Sequence, residues 1–158
     1  MSTGRVEAIF LAQPEEGERV AVQDATAVAG RGLEGDAYFR APGTRRPPGN
    51  RNGRDITLFE AEAIEGLATD AGIQLDYWEG RRNVLTRGIS LNDLVGRRFR
   101  VGGAECVGRR LCDPCSHLES LTRPGVLKGL VKRGGLRADV VTGGPIAVGD
   151  EVEDLGPA

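Results

Sequence analysis

The residues best suited to chemistry lie in one short segment, 106–117, which reads CVGRRLCDPCSH. Asp113 followed by Pro114 is typical of a helix start, because aspartate accepts hydrogen bonds from free amides and proline has no amide to leave unpaired. Cys115 then falls in the first helical turn. The free amide groups and the positive end of the helix dipole there favour thiolate over thiol. We therefore expect a depressed pKa at Cys115.

A thiolate at Cys115 could act as a nucleophile or as a metal ligand. Arg109, Arg110 and His117 are close in sequence and add positive charge that would stabilise the anion. A sulfur acceptor, a redox thiol and a soft metal ligand all need the thiolate, because the neutral thiol is a poor nucleophile and a poor ligand. Cys115 is accordingly our predicted catalytic residue and metal ligand.

Three other interpretations of the cysteines stay open. Cys106, Cys112, Cys115 and His117 could supply four zinc ligands, although the Cys115-x-His117 spacing is unusual for a structural zinc site. The run CDPC could be a thioredoxin-like redox pair, although the alternating strands and helices that surround such a pair are missing. Cys106 and Cys112 could also be small buried apolar side chains, which is the interpretation we favour for those two.

A basic segment, residues 40–54, contains five arginines and no acidic residue, with proline and glycine throughout. Neither a helix nor a strand can be sustained in it. It is either a solvated connection or a loop that folds over an anion, because guanidinium groups bind phosphate and carboxylate in a bidentate manner. In the second case Arg45, Arg46 and Arg51 are candidate phosphate contacts.

A glycine pattern, Gly30-x-Gly32-x-x-Gly35, matches the dinucleotide-binding motif, with Asp55 at about the spacing of a ribose contact. That motif requires a helix that begins at the glycines, and the chain instead continues into the basic loop. We therefore predict that these glycines form a tight turn.

The elements that position these residues are predicted to be mostly short strands. Thr57 and Glu60 form a capping-box pair before apolar residues at helical spacing, and Gly72 is suited to end that helix. Gly102-Gly103 predicts a hairpin between two strands. The predicted strands are 6–11, 20–29, 82–86, 98–101, 104–110, 136–141 and 151–155, with two further short helices at 116–121 and 126–132. This pattern predicts a mainly β fold, a barrel with a few peripheral helices.

Composition limits the remaining function classes. The chain has 158 residues, a size typical of a single domain spanning 1–158. With 21 basic and 23 acidic side chains, no overall positive field favours nucleic acid. No apolar run is long enough to span a membrane, and the first residues lack the basic and apolar regions of a secretion signal, so we expect a cytoplasmic protein. The three cysteines are an odd number, which favours reduced thiols over a disulfide framework. The only lysines, Lys128 and Lys132, are predicted to lie on a surface helix, which makes a pyridoxal phosphate Schiff base an unfavourable hypothesis.

Taken together, several segments resemble one family, the MOSC domains, which form the C-terminal domains of molybdenum-cofactor sulfurases and also occur as small bacterial proteins. The resemblance covers nearly the whole chain in the order of the family. It is carried by GLEGDAYF (32–39), RDITLFEAEAIEGL (54–67), RRNVLTRGISLNDLVGRRFRVGG (81–103), LCDPCSHLE (111–119) and GGLRADVVTGGPIAVGDEV (134–152).

This resemblance implies a β-barrel fold and a functional cysteine at Cys115. MOSC domains bind the phosphorylated pterin form of the molybdenum cofactor, molybdopterin, with a cysteine sulfur on the metal. Some reduce N-hydroxylated compounds, and others pass sulfur to metal centres. The resemblance also places five residues in motif segments that line the family's pocket: Gly35, Asp36, Arg82, Asn83 and Gly88. Arg82 and Arg109 are our candidates for electrostatic support of the thiolate and of the anionic ligand.

The implied partners follow from what the chain lacks. Larger MOSC proteins carry a separate pyridoxal phosphate-dependent cysteine desulfurase domain, and this sequence has no such domain. Sulfur would then come from a partner such as a cysteine desulfurase, and a redox reaction would need an electron donor. The alternatives are a non-catalytic sulfur carrier or binding module, or a zinc-stabilised Cys/His fold.

Overall fold

A computed structural model of the chain describes residues 3–15, 19–41, 53–112, 122, 124–130 and 132–158. Its strands are β1 (Thr3–Leu11), β2 (Val20–Val22), β3 (Asp24–Val28), β4 (Gly32–Leu33), β5 (Ile56–Glu60), β6 (Val84–Arg87), β7 (Arg97–Val101), β8 (Ala104–Leu111), β9 (Leu136–Thr142), β10 (Gly144–Ala147) and β11 (Glu151–Pro157). The helices are α1 (Ala61–Ala71), the single turn α2 (Val126–Gly129) and two 3-10 turns, Tyr77–Gly80 and Leu91–Leu94.

A closed barrel forms the centre of the molecule and confirms the predicted fold class. Its strands follow the order β11-β7-β8-β9-β5-β6-β1, and β1 closes the ring by pairing with β11. Among the described residues this barrel has seven strands, with β2 added beside β1. The pairs are antiparallel except β5 with β6, which run parallel. A smaller sheet, β10-β3-β4, lies beside the barrel.

Aliphatic side chains fill the barrel interior. The alternate residues of each strand point inward, as the two-residue period of a strand requires. Ile56 and Leu58 of β5, Val84 of β6 and Ile9 of β1 belong to this inner cluster and are fully or almost fully buried. The residues between them, such as Thr57 and Asn83, therefore face the outer wall of the barrel.

Helix α1 covers part of that outer wall. Its residues Ala61 and Ile64 pack against outward-facing Phe59 and Leu85, together with Phe10. The helix ends where the sequence predicts, because Gly72 takes the left-handed conformation with φ +68° and its amide bonds back to the last turn.

The predicted start of this helix is wrong. Thr57 lies in strand β5, and the helix begins four residues later at Ala61 with Glu60 as its N-cap. The Glu60 carboxylate accepts a hydrogen bond from the amide of Leu91 at 3.0 Å, so it is not part of a capping box. Tertiary pairing of β5 with β6 and β9 outweighs the local capping signal.

Other boundaries also differ from the prediction. The strand predicted at 20–29 is broken at Gln23 into β2 and β3, which join different sheets. Strand β10 and the short strand β4 were not predicted. The helix predicted at 126–132 is helical only over Val126–Gly129, and Lys132 has φ +61°. The helix predicted at 116–121 lies outside the described residues.

The glycine pattern forms a turn, as predicted. Gly30, Gly32 and Gly35 all have positive φ values, between +71° and +113°, which favour glycine. Residues 34–41 form turns and irregular chain, so no helix begins at these glycines. Across the described parts of the chain, no helix is both long enough and apolar enough to cross a membrane.

Candidate functional site

A cleft of about 490 Å³ lies on the outer wall of the barrel. Its lining residues come from the position just before β2, from the turn after β4, from the two ends of the basic segment, from the residues just before β6, and from β5, β8 and β9. They are Arg19, Asp36, Tyr38, Arg40, Arg54, Asp55, Thr57, Arg81, Arg82, Asn83, Arg110 and Arg137.

Four of these residues form one row across neighbouring strands. Arg110 of β8 is the Cα partner of Arg137 of β9, and Arg137 is also the partner of Thr57 of β5. Asn83, just before β6, continues the row, because its amide bonds to the carbonyl oxygen of Thr57 at 3.1 Å. Partner residues in a sheet share a face, so the pleat itself brings these side chains to one surface. This row forms the floor of the cleft.

Asn83 fixes the centre of the floor. Its Oδ1 accepts hydrogen bonds from the amide and the hydroxyl of Thr57, and its Nδ2 donates to the carbonyl of Phe10 and to Oδ1 of Asp36. The side chain is buried, so these bonds replace water that cannot reach it. Asn83 therefore joins β5, β1 and the turn that carries Asp36.

Asp36 in turn fixes the wall of the cleft. Its Oδ1 also accepts from the amide of Ala12 at 2.6 Å, and its Oδ2 accepts from the amide of Tyr38 at 3.1 Å. Both oxygens of this carboxylate are thus committed to structural bonds. The exposed ring of Tyr38 is held beside the cleft as a result.

The other acid of the cleft, Asp55, is buried and anchors Arg40. Arg40 forms an ion pair with Oδ1 of Asp55 and also donates to the carbonyl of Gly30. Oδ2 of Asp55 accepts from the amide of Val140 at 2.9 Å. A buried carboxylate paired in this way fixes the chain where it enters the basic segment.

Positive charge dominates the cleft. Among the described lining residues there are seven arginines and two aspartates. Nε of Arg19 is buried and has no hydrogen-bond partner within the described chain. Loss of water lowers the pKa of Arg19; nearby Asp36 opposes that shift, whereas Arg81 and Arg82 add to it. An arginine remains charged in spite of such a shift, so this wall of the cleft is suited to an anion.

The residues that the sequence predicts for the site fall into three groups. Asp36, Arg82 and Asn83 line the cleft together. Arg109 is the extra residue of a β-bulge, and its Nε donates to Oδ2 of buried Asp139 at 2.9 Å, so its guanidinium is directed to an acid outside the cleft lining. Cys115, His117, Arg45, Arg46 and Arg51 lie outside the described residues. Each of these assignments stays a prediction.

Sequence reasoning overlooked several lining residues. Arg19, Arg81 and Arg137 were not selected, and Asp55 was weighed only as a ribose contact. Arg137 carried a usable signal, since it is the only basic residue of the strand segment LRADVV (136–141), which is apolar except for Arg137 and Asp139. Its proximity to Arg110 depends on strand pairing, which a single sequence does not specify.

The two described cysteines are packed away from solvent, as predicted. Cys106 and Cys112 are 0% and 1% exposed, and both are free thiols. Burial raises the pKa of Cys106 to about 12, and nearby Asp139 adds to that effect. Within the described residues no group of three or more His, Cys, Asp or Glu side chains could hold a metal ion.

The comparison that decides the family is with protein-family models. The model of the MOSC domain matches residues 47–153, which is more than half of the chain. The chain belongs to the MOSC domain family. The matched MOSC region contains β5 to β10 and all four residues of the cleft floor. No curated protein sequence matches this chain.

Solved structures share the fold of this MOSC domain. The YuaD protein from Bacillus subtilis is 19% identical with a TM-score of 0.79, covering 96% of this chain and 95% of its own. YiiM from Geobacillus stearothermophilus is 14% identical with a TM-score of 0.70, covering 96% and 75%. YiiM from Escherichia coli is 17% identical with a TM-score of 0.67, covering 98% and 71%. At these identities the likeness establishes the fold alone.

Proposed function

We propose that this MOSC protein binds the phosphorylated molybdenum-pterin cofactor in the arginine-rich cleft and uses Cys115 as the thiolate ligand of the metal. The observation that carries the proposal is the excess of arginine over acid in a cleft whose two aspartates are already engaged in structural bonds. Guanidinium groups are the side chains best suited to bind phosphate. The donor set of the cleft therefore fits a phosphorylated ligand.

Chain connectivity supports the role of Cys115. Arg110 lines the cleft, and Cys112 is held beside β9 because its amide bonds to the carbonyl of Gly135 at 2.7 Å. Three peptide units link Cys112 to Cys115, and they span at most about 11 Å. A thiolate at Cys115 would be a soft ligand for molybdenum, whereas Cys106 has no such access to the cleft.

Within this proposal the chain supplies binding, orientation and electrostatics. When bound, the cofactor supplies the redox chemistry of its metal. Arg82 would contribute positive charge to the anionic ligand, and Asn83 would hold the floor of the cleft rigid. The reduction of N-hydroxylated compounds is the activity we propose, with an electron donor as the partner.

The proposal is tested by metal and pterin analysis of protein made in cells that synthesise the cofactor. We expect molybdenum and pterin in equal amounts in the native protein, and a strong loss of molybdenum in Cys115→Ser. Cys106→Ala is the matched control, because it removes a thiol of the barrel interior, and it should retain the metal. Equal molybdenum in the native and Cys115→Ser proteins would contradict the ligand role and leave sulfur transfer as the function of this cysteine.

Activity then separates an enzyme from a binding module. Cofactor-loaded protein is expected to reduce an N-hydroxylated purine or an amidoxime in the presence of an electron donor, and Cys115→Ser should abolish turnover. If the native protein contains molybdenum and pterin but turns over neither compound, the enzymatic part of the proposal is wrong. Zinc near one equivalent in place of molybdenum would instead favour a zinc-stabilised fold.

A further inference from the structure

Arg19 carries a buried hydrogen-bond donor that the folded chain does not satisfy. Arg19 lines the cleft, and its Nε is buried without a hydrogen-bond partner among the described residues. Nearly all buried polar groups in folded proteins are paired, and an unpaired one lowers the stability of the fold. Asp36 attracts the charge of Arg19, but both oxygens of Asp36 accept bonds from other groups. An anionic acceptor from a ligand would satisfy this donor.

Arg81, the arginine with the largest electrostatic effect on Arg19, has a backbone conformation that does not suit its side chain. Its φ of +58° and ψ of +43° are left-handed. Within the described parts of the chain, twelve glycines have a positive φ, and Arg81 and Lys132 are the only other residues that do. The left-handed conformation is unfavourable for a residue with a Cβ, which lies too close to a carbonyl oxygen there. Glycine would suit this turn better, so any advantage of arginine comes from its side chain.

The main chain of Arg81 is held by bonds that a glycine could also make. Its amide donates to the carbonyl of Trp78 at 3.0 Å, and its carbonyl accepts from Nη1 of Arg82 at 3.1 Å. Nε of Arg82 donates to the carbonyl of Gly134 at 3.2 Å, which ties this turn to the chain before β9. Arg81 lines the cleft and has further interactions within the protein. Its contributions to the fold and to a ligand therefore have to be measured separately.

We infer that Arg19 and Arg81 together form an oxyanion site in the cleft, which binds the phosphate group of a phosphate monoester. A phosphate monoester presents three acceptor oxygens, so two guanidinium groups can each bind it in a bidentate manner. Arg19 as a whole is only half-buried, so a change of rotamer can present its Nε to the ligand. A cleft of about 490 Å³ is in the range that holds a small organic molecule, which favours a monoester over free phosphate.

The inference deepens the proposed function and rests on it for the identity of the natural ligand. Calorimetry with phenyl phosphate and with inorganic phosphate tests it on the full chain, freed of cofactor and checked by metal and pterin analysis. We expect one phenyl phosphate per protein, bound more tightly than inorganic phosphate because the cleft also covers the ring. Failure of phenyl phosphate to bind, or tighter binding of inorganic phosphate, overturns the inference.

Arg81→Gly separates a ligand contact from a structural role. It should raise the Tm by about 1–4 °C, because it removes an unfavourable left-handed side chain. It should also weaken phenyl phosphate binding about tenfold or more, because a charge-assisted hydrogen bond is lost. Lys132→Gly is the matched control, since it removes one positive charge at the other left-handed position, outside the cleft lining, and should raise the Tm without changing the affinity. A lower Tm in Arg81→Gly, or an equal loss of affinity in Lys132→Gly, would contradict the assignment.

Arg19→Met tests the buried donor. Methionine keeps an unbranched side chain of similar reach without a polar group, so the Tm should be unchanged or higher while the affinity for phenyl phosphate falls about tenfold or more. Arg100→Met is the control, because Arg100 pairs with Glu153 on another part of the barrel wall, and it should leave the affinity unchanged. Native affinity in Arg19→Met, or a loss of the same size in Arg100→Met, would refute the role of Arg19.

These measurements fail independently of the test of the proposed function. Calorimetry reports an anion site in the cofactor-free chain, whereas molybdenum content reports what the protein carries from the cell. Phosphate binding that depends on Arg19 and Arg81, in a protein that acquires no molybdenum, would support the oxyanion site and refute the cofactor. Molybdenum in the native protein, together with phosphate binding that neither variant weakens, would refute only the oxyanion site.

Discussion

At the scale of single residues, two of the cysteines have environments that keep their thiols out of chemistry. Cys106 is fully enclosed by the barrel core and lies near Asp139, whose negative charge further disfavours a second anion. Cys112 is equally enclosed, at the end of β8. The proposed role of Cys115 rests on its sequence context, since its aspartate and proline neighbours are suited to a helix start.

Thiol reactivity tests the protection of Cys106. With a pKa of about 12, this thiol is neutral throughout the range from pH 7 to 9 and is also inaccessible. We expect iodoacetamide at pH 8 to leave Cys106 unmodified in the folded protein and to alkylate it once urea unfolds the chain. Peptide mass spectrometry measures both states. Alkylation of Cys106 at equal rates with and without urea would show that its environment is open.

Asn83 is the residue on which the cleft floor depends most. Asn83→Ala leaves the buried carbonyl of Phe10 and the partly buried amide of Thr57 without their side-chain partner, so we expect a loss of about 2–4 kcal/mol in the free energy of unfolding. Urea denaturation measures this loss. Asn92→Ala is the control, because among the described residues its exposed side chain bonds only to the carbonyl of Lys132, and it should cost about 0.5 kcal/mol or less. A similar loss of stability in the two variants would show that the hydrogen bonds of Asn83 do not stabilise the cleft floor.

At the scale of elements, β8 is tied to the 3-10 turn Leu91–Leu94 by close backbone contact. Gly108 of β8 lies against Leu94, and its carbonyl accepts the amide of Gly96 at 2.8 Å. A Cβ at position 108 would overlap the carbonyl oxygen of Leu94. The glycine therefore allows β8 to continue past this turn and to carry Arg110 to the cleft.

Gly108→Ala should destabilise the protein by about 3 kcal/mol, because backbone must move to admit the methyl group. Gly72→Ala is an instructive comparison. Nothing lies within 4 Å of a Cβ at that position, and only its φ of +68° opposes a side chain, so the expected cost is about 1–2 kcal/mol. Thermal or urea unfolding measures the loss of stability in each variant. A larger loss in Gly72→Ala than in Gly108→Ala would contradict the proposed tight contact between β8 and Leu94.

An ion-pair network ties α1 to β6 and β1. Glu65 of α1 accepts hydrogen bonds from Arg87 and from the hydroxyl of Tyr77, and Arg87 also pairs with Glu7. The Arg87 hydrogen bond is the main cause that lowers the pKa of Glu65 to about 2, from an ordinary value of 4.5. The ionised Glu65 carboxylate therefore contributes fully to the stability of the folded protein above pH 4.5, and this contribution is lost as the pH falls towards 2.

The free energy of unfolding as a function of pH checks this network. The native protein should be more stable than Glu65→Gln at pH 6, and the difference should shrink as the pH is lowered from about 4.5 to 2. Glu34→Gln, which removes an exposed carboxylate just after β4 and outside this network, is the matched control for the loss of one negative charge. A constant difference between native and Glu65→Gln protein across this range would rule out the proposed linkage.

At the scale of the whole molecule, the alternation of apolar residues and the turn glycines were sufficient to predict a barrel. The hairpin at Gly102-Gly103 and the end of α1 at Gly72 were predicted because each depends on neighbouring residues alone. The start of α1 was not predicted correctly, because residues 57–60 could begin a helix or continue a strand, and their pairing with β6 and β9 makes them a strand. Arg137 and Arg19 reach the cleft through pairings between segments that are distant in sequence, and a single sequence carries no direct signal for such contacts.

The proposed function joins a cationic cleft to a thiolate that follows β8: Cys115 would bind the metal of a cofactor whose phosphate is held by arginines. X-ray absorption at the molybdenum edge tests this ligand role, because it counts the sulfur neighbours of the metal. In the fraction of Cys115→Ser that still holds molybdenum we expect one sulfur neighbour fewer than in the native protein, while Cys106→Ala retains the native count. An unchanged sulfur count in Cys115→Ser, or a native protein without molybdenum, would contradict the ligand role.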